Sequence, residues 1–409
     1  MIKLNGKYLT SLLLVATISV VTTGAALSYN LSIQKGTKIL SLPDDETLDY
    51  EMVSSKPEVI NIKTLEYEKR SIEGCVDNKI VFSCLRETSD NDKLNGTTFY
   101  SIDNGEEKSI YSNNKIMKSS GTFGMFSISQ DKTKIILNDK GFGEYGKPFG
   151  VYVHDAIKNN LIKVTDISKE FTSFTNIKLG EGISMNYSAY NGSGWSVDGK
   201  SVIYIINSAK NTFDFFIYNL NTDSTEKYTL IDFKHNFIAL SMPKLSSDGR
   251  YIYFTGHCQS SSLVYRLYRI DLTRKDIEAE WLTDHAGYYH LSDDGKRVVF
   301  MDCLRNSPKR NIYIFDTLTK EEKVIVENPL CLFDISADGN KIVYTVKNED
   351  SIDVKAAHIK NNGIGNSTTI YKAGLNEFID RAFWNIDGSK VIIETEHGKS
   401  YVVELRYKN

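Results

Sequence analysis

Histidine, cysteine and arginine gather in the second half of the chain: His257 with Cys258, then His285, Cys303, Arg305, Cys331 and His397. Imidazole and thiolate ligate transition metals, and imidazole is also the commonest general acid–base group. A metal centre needs three or four such ligands converging in fixed geometry, and their spacing matches no zinc module and contains no CxxC or HExxH. Loop histidines and buried cysteines are ordinarily solvated or packed, so neither a metal nor a cofactor is expected. A disulfide between Cys303 and Cys331, tying two successive units, is the more natural use of those two residues.

A second set of chemistry-bearing residues is aromatic. Phe142 and Tyr145 lie in NDKGFGEYGKPFG, and Tyr187 and Tyr190 lie in the Tyr-, Asn-, Ser- and Gly-rich stretch 168–194. Such rings stack on a sugar or receive a peptide side chain; equally, they pack across one another. Long loops in a compact repeat fold usually carry function. With His257, His285, Arg305 and His397, these four rings make up the expected binding set. No catalytic residue is assigned, because a Gly-x-Ser-x-Gly elbow is missing and the nearest string, NGSGWS, has the wrong spacing.

These residues must be positioned by a phrase that the chain repeats: GWSVDGKSVIY, KLSSDGRYIYF, HLSDDGKRVVF, DISADGNKIVY and WNIDGSKVIIE. Its aspartates are Asp198, Asp248, Asp294, Asp338 and Asp387, with weaker copies at Asp131 and Asp77, at intervals of 44 to 67 residues. The Asp-Gly pair predicts a two-residue hairpin turn and the preceding Ser a hydrogen bond to it, so these aspartates are structural. An apolar residue before the Ser ends one strand, and period-two apolar residues after the turn begin the next. A third strand, a turn and a fourth complete each unit.

A period near fifty with four short antiparallel strands per unit predicts an all-β fold, a single closed β-propeller over 37–409, with seven blades or six. The last unit supplies three strands only, and Glu58–Lys69 reads as an orphan strand placed to complete that blade and close the ring.

The phrase Ser-x-Asp-Gly-x-x-Ile-x-Phe resembles the WD40-like (PD40) repeat of the TolB-type propellers, and also the propeller domains of prolyl oligopeptidases. The resemblance covers most of 77–409 and implies the fold; its motif is a turn, not a site. The family's usual Pro between Ser and Asp is absent in every copy, and Lys132 replaces Gly in the second. Propellers of this type are commonly six-bladed. The segment preceding the repeats is too short for the α/β domain of TolB, so TolB's partners are not carried over.

Composition and N-terminus bound the function. A net charge of −3 from 49 basic and 52 acidic residues gives no field for nucleic acid. Lys3 and Lys7, an apolar run from Leu12 to Val21, and Gly24-Ala25-Ala26 have the grammar of export. Residues 1–27 are expected to be a signal peptide or an uncleaved membrane anchor, which would be the sole membrane contact. The expectation is therefore an extracytoplasmic, monomeric, non-catalytic propeller that binds a protein, peptide or cell-envelope polymer through its loop face. The alternatives are a polysaccharide-active enzyme of the propeller lyase or hydrolase type and a sensory ectodomain.

Overall fold

A computed structural model describes residues 56–66, 71–87, 93–102, 107–109, 121–123, 127–141, 149–167, 174–178, 184–188, 190–258, 265–284, 286–292, 294–302, 310–330, 333–360, 363–395 and 399–407. The regular elements among them are all strands. Seven antiparallel sheets of four or five strands follow one another: residues 71–109, 121–167, 190–231, 237–283, 286–327, 334–374, and finally 379–407 together with Pro57–Glu66. A separate hairpin pairs Phe174–Lys178 with Ser184–Ser188.

The orphan strand read from the sequence is Pro57–Glu66. It runs antiparallel to Lys399–Tyr407 from Pro57 opposite Tyr407 to Glu66 opposite Lys399, with one bulge between Val59 and Asn61. It thus supplies the fourth strand of a sheet whose other three come from the C-terminal end of the chain.

The repeated turn differs from the simple two-residue hairpin. In the third sheet the Gly199 N–H returns to the Ser196 carbonyl at 2.9 Å and only the glycine takes positive φ, at 65°. Asp198 accepts the Ser196 hydroxyl at 2.7 Å and the Lys200 N–H at 3.1 Å, while Ser196 Oγ accepts the Ser201 N–H at 2.8 Å. The same Ser-to-Asp bond recurs at Asp248, Asp294 and Asp338, and Asp387 accepts the Ser389 N–H at 2.8 Å. The aspartate is therefore an internal acceptor that holds a four-residue loop, and the fifth residue after the Ser re-enters the ladder. Among the described residues a two-residue turn with both φ positive occurs once, at Asp77 (46°) and Asn78 (54°), where Val76 pairs directly with Lys79.

Each sheet is apolar on both faces, because alternate residues of its second strand point to opposite sides. Val298 and Phe300 share a cluster with the fourth sheet, whereas Val299 and Met301 share one with the sixth. Ile203 and Ile205 pack with the fourth sheet; Val202, Tyr204 and Ile206 pack with the second. At the ends of the series, Val81 packs with Ile135 of the second sheet, and Ile80 packs with Leu65, Ile392 and Val402 of the seventh. Hydrogen bonds between turns follow the same neighbours: Asp77 N–H to the Lys132 carbonyl at 2.9 Å, Val197 N–H to the Leu245 carbonyl at 2.8 Å, and Asn385 Nδ2 to Asn78 Oδ1 at 2.9 Å.

The turns make a graded test. At Gly249 (φ 71°) an added Cβ meets no atom within 4 Å, so Gly249→Ala is expected to cost only left-handed backbone strain, about 1–2 kcal/mol. At Gly199 (φ 65°) it would sit 2.7 Å from Asp131 Oδ2 of the neighbouring turn, so Gly199→Ala should cost more. Urea unfolding of the two variants measures the difference; equal losses would mean that the Asp131 contact yields freely.

Candidate functional site

The first strands of the sheets and the turns that follow them bring a group of polar side chains together at one centre. Lys132, in the turn of the second sheet, donates to Asp334 Oδ2 of the sixth sheet at 2.6 Å, and both side chains are buried. The same carboxylate oxygen accepts the Trp384 backbone N–H of the seventh sheet at 2.8 Å. Gln130, from the turn that carries Lys132, donates to the Leu291 carbonyl of the fifth sheet at 3.1 Å. Lys132 occupies the glycine position of the motif with φ 54°, a conformation uncommon for a long side chain. That departure from the repeat is what brings a cation to Asp334.

Two more residues join from the fourth and fifth sheets. Lys244 and His290 immediately precede the apolar strand-ending residues Leu245 and Leu291, and Asp334 holds the corresponding place before Ile335. Lys244 is aimed by a β-bulge. Ser241 pairs with Thr255 and Lys244 with Tyr253, so Met242 and Pro243 together oppose one residue. Met242 takes φ 52°, its carbonyl accepts the Tyr289 hydroxyl, and the Pro243 carbonyl lies where a Cβ on Gly194 would be, at 1.7 Å. Only glycine is compatible with that approach.

His290 Nε2 lies 3.0 Å from the Tyr288 hydroxyl, and the Phe333 ring packs on both, 5.5 Å from His290 and 5.4 Å from Tyr288. The Lys244 ammonium sits 5.2 Å from the centre of the Tyr289 ring. Lys244, Tyr288 and His290 lie deep within the molecule, yet each keeps some solvent contact.

Burial sets the protonation of this group. It lowers the Lys244 ammonium to about 8, against the opposing pull of the Asp334 carboxylate. It drives His290 well below the usual imidazole range, assisted by the charges of Lys244 and Lys132, so the ring is neutral near pH 7. Tyr288 is raised by burial and by Asp334, with Arg381 opposing. The centre therefore holds a compensated pair, Lys132 with Asp334, beside a lysine that titrates near neutrality and a neutral histidine.

Of the binding set read from the sequence, His257 lies at the end of a second strand, opposite Ala239 and Tyr265, and is buried. Its neighbour Cys258 is buried against the Tyr268 hydroxyl, Sγ to O 3.4 Å, and burial raises its thiol above the usual range. Tyr190 begins the first strand of the third sheet, paired with Ile206, and Tyr187 lies in the separate hairpin opposite Thr175. The stretch 168–194 thus contains strands as well as connections. Phe142, Tyr145, His285, Arg305, His397, Cys303 and Cys331 lie outside the described residues. Among the described residues no cluster of His, Cys, Asp and Glu forms a metal site.

Sequence reading missed Lys244, His290 and Asp334. The available signal was their shared register: each stands four residues before the motif aspartate, where other copies have Ser127, Gly194 and Phe383.

No family model and no curated protein matches the chain. Solved structures do. An oligogalacturonate lyase in complex with manganese aligns with a TM-score of 0.52 at 13% identity, over 86% of this chain and 98% of its own. TolB from Acinetobacter baumannii aligns at 0.42 and 15% identity, over 82% and 67%. The β-propeller domain of the Trilobed protease from Pyrococcus furiosus aligns at 0.47 and 14% identity, over 84% and 95%. The fold class is all-β, a series of antiparallel four- and five-stranded sheets, and TolB and the propeller domain of the Trilobed protease are among the structures it resembles.

Two outcomes test the centre. Lys132→Met leaves the Asp334 carboxylate buried without its cation and is expected to cost about 3–5 kcal/mol in urea unfolding. For Lys244 the folded value of about 8 lies below the ordinary 10.5. Between those limits the unfolded chain binds more protons, so the stability contributed by this site rises with pH through that window. The stability of the unmodified chain relative to Lys244→Met should therefore rise from pH 8 to pH 10.5. A difference constant with pH would show that Lys244 titrates normally.

Proposed function

We propose that the seven sheets are the blades of a closed seven-bladed propeller, sealed by Pro57–Glu66, and that this exported chain works as a monomeric binding module. Two observations support closure. The first sheet shares one apolar cluster with the second and another with the seventh. The Lys132–Asp334 pair joins sheets four places apart in the series, which a ring brings within 2.6 Å and an open arc keeps apart.

The observation that carries the binding reading is the centre itself. A rigid wall of packed sheets surrounds polar side chains that are not consumed by the blades' own packing, chiefly Lys244 and His290. Concave sites with a few convergent polar groups among aromatic rings are where ligands bind. The ligand is a protein, a peptide or a cell-envelope polymer outside the cytoplasm, and Phe142, Tyr145, Tyr187, Tyr190, His285, Arg305 and His397 form its outer contacts, with His257 buried at the end of its strand. Residues 1–27 direct export, as a cleaved signal or as an anchor.

A second reading, a polysaccharide-active enzyme of the lyase type, is favoured by the buried, neutral His290 at the centre, with Lys244 in the same register on the preceding sheet. A neutral imidazole can take a proton from carbon next to a carboxylate whose charge a lysine offsets, which is the requirement of a polyuronate lyase.

The immobilised full chain is expected to retain a saturable partner from cell-envelope extract, and a variant in which residues 168–189 are replaced by a short linker should retain less. That replacement spares the inner strand Tyr190–Trp195. Equal capture by both proteins removes the loop face from the reading. Release of an unsaturated, ultraviolet-absorbing product from a polyuronate, lost in His290→Gln, would replace the non-catalytic reading by the lyase one.

A further inference from the structure

We propose that the turn Ser129–Lys134 of the second sheet is an axial plug: it closes one end of the propeller, so that a ligand reaches the centre only from the opposite end. This rests on the closed ring and deepens the binding reading by fixing the face that a partner approaches.

The two ends differ by construction. Neighbouring strands of each sheet run antiparallel, so the turns joining first to second and third to fourth strands lie at one end. The connections from second to third strands, and from one sheet to the next, lie at the other. Every copy of the repeated phrase joins a first strand to a second, and hydrogen bonds such as Asp77 N–H to the Lys132 carbonyl link neighbouring copies.

One of these turns crosses the axis. In a ring of seven, the fifth and sixth sheets are the two farthest from the second. Gln130 nevertheless donates to the Leu291 carbonyl of the fifth sheet at 3.1 Å, and Lys132 to Asp334 Oδ2 of the sixth at 2.6 Å. The same carboxylate oxygen takes the Trp384 N–H of the seventh sheet at 2.8 Å. The base of the turn is held from both sides. The Lys132 carbonyl accepts the Asp77 N–H of the first sheet at 2.9 Å, and the carbonyl of Ser127, in the strand leading into the turn, accepts Trp195 Nε1 of the third at 3.0 Å.

Burial shows that the crossing excludes solvent. Lys132 and Asp334 are each 7% exposed, whereas charged side chains at an open entrance keep their heads in water. Leu291, Ile335 and Trp384, which end the first strands of the far sheets, are 2%, 3% and 0% exposed. Five other copies carry glycine after the aspartate, at Gly199, Gly249, Gly295, Gly339 and Gly388, and have no side chain there to send inward. Lys132 holds that position at φ 54° despite the backbone strain. A polymer cannot thread a ring closed in this way; it must present an end or a side group to the loop-bearing face.

Three measurements on the full chain test the plug. Under acylation by a small succinimidyl ester, mapped by mass spectrometry, Lys132 should react about a hundredfold more slowly than the exposed Lys158 and Lys200. The second uses Gln130→Ala combined with Lys132→Gly and Asp334→Asn, in which glycine restores the motif residue and asparagine keeps an acceptor for the Trp384 N–H without a buried charge. With a small neutral gadolinium chelate in solution, proton relaxation of the Leu291 and Trp384 amides should rise several-fold in this variant, while the core amide of Ile392 stays unchanged. Lys132 acylated as fast as Lys158, or unchanged relaxation of the two amides in the folded variant, overturns the plug. The third concerns approach. A chain tethered to a support through p-azidophenylalanine at Ser247, in the turn of the fourth sheet, should still capture the partner from cell-envelope extract, and one tethered at Phe233, in the connection between the third and fourth sheets, should not. Capture lost only with the Ser247 tether overturns the assigned face. Capture by neither, nor by the untethered chain, counts against the binding reading, while the first two measurements still decide the plug.

Discussion

A sheet that is apolar on both faces has no stable existence alone, and that constraint organises everything else in this molecule. The second strands of the fourth, fifth and seventh sheets are buried along nearly their whole length, their odd and even residues committed to different neighbours. Val298 and Val299 are adjacent in sequence yet belong to different clusters. Covering one face of a sheet therefore always leaves the other to be covered by the next, and a series of such sheets has two unsatisfied ends. In the proposed ring those ends meet, with Ile80 against Ile392 and with Pro57–Glu66 supplying a strand to the last sheet. The joint between the two ends of the chain is thus built of the same materials as every other joint.

The same arrangement explains why charge accumulates at the centre. Sheet faces take up apolar residues, and sheet edges do not; the first-strand edges converge where neither apolar packing nor bulk water is fully available. Side chains there lose hydration and must find partners among themselves. Lys132 and Asp334 do so across four places in the series of sheets. A buried pair of this kind adds little net stability, because desolvation offsets the Coulombic gain, but separating it is costly. Lys244 and His290 are less completely satisfied, and burial moves both away from their charged forms.

The repeated phrase was legible because its job is local. Ser, Asp and Gly each act within five residues, so the turn chemistry of Asp198 or Asp338 could be read without the fold, apart from its detailed geometry. There two positive φ values occur only at Asp77 and Asn78; in the other copies the aspartate serves as an acceptor and only the residue after it, glycine or, following Asp131, Lys132, is left-handed. The central residues were less legible. His290 stands inside the most conspicuous copy of the phrase, yet nothing within that copy distinguishes a histidine facing solvent from one packed on Phe333 and Tyr288. Lys132 was visible as a departure from the motif, but its partner lies 202 residues away.

The amino-acid sequence by itself determined the strand period, the turns and the end-to-end strand pairing, because hydrophobic alternation and turn chemistry are properties of short segments. The tertiary structure alone decided which of the many charged residues share one centre and how far each is desolvated. Those outcomes depend on distances between residues hundreds of positions apart and on the low-dielectric surroundings they create. Neither is encoded in any single segment, and both come into being only when the sheets pack.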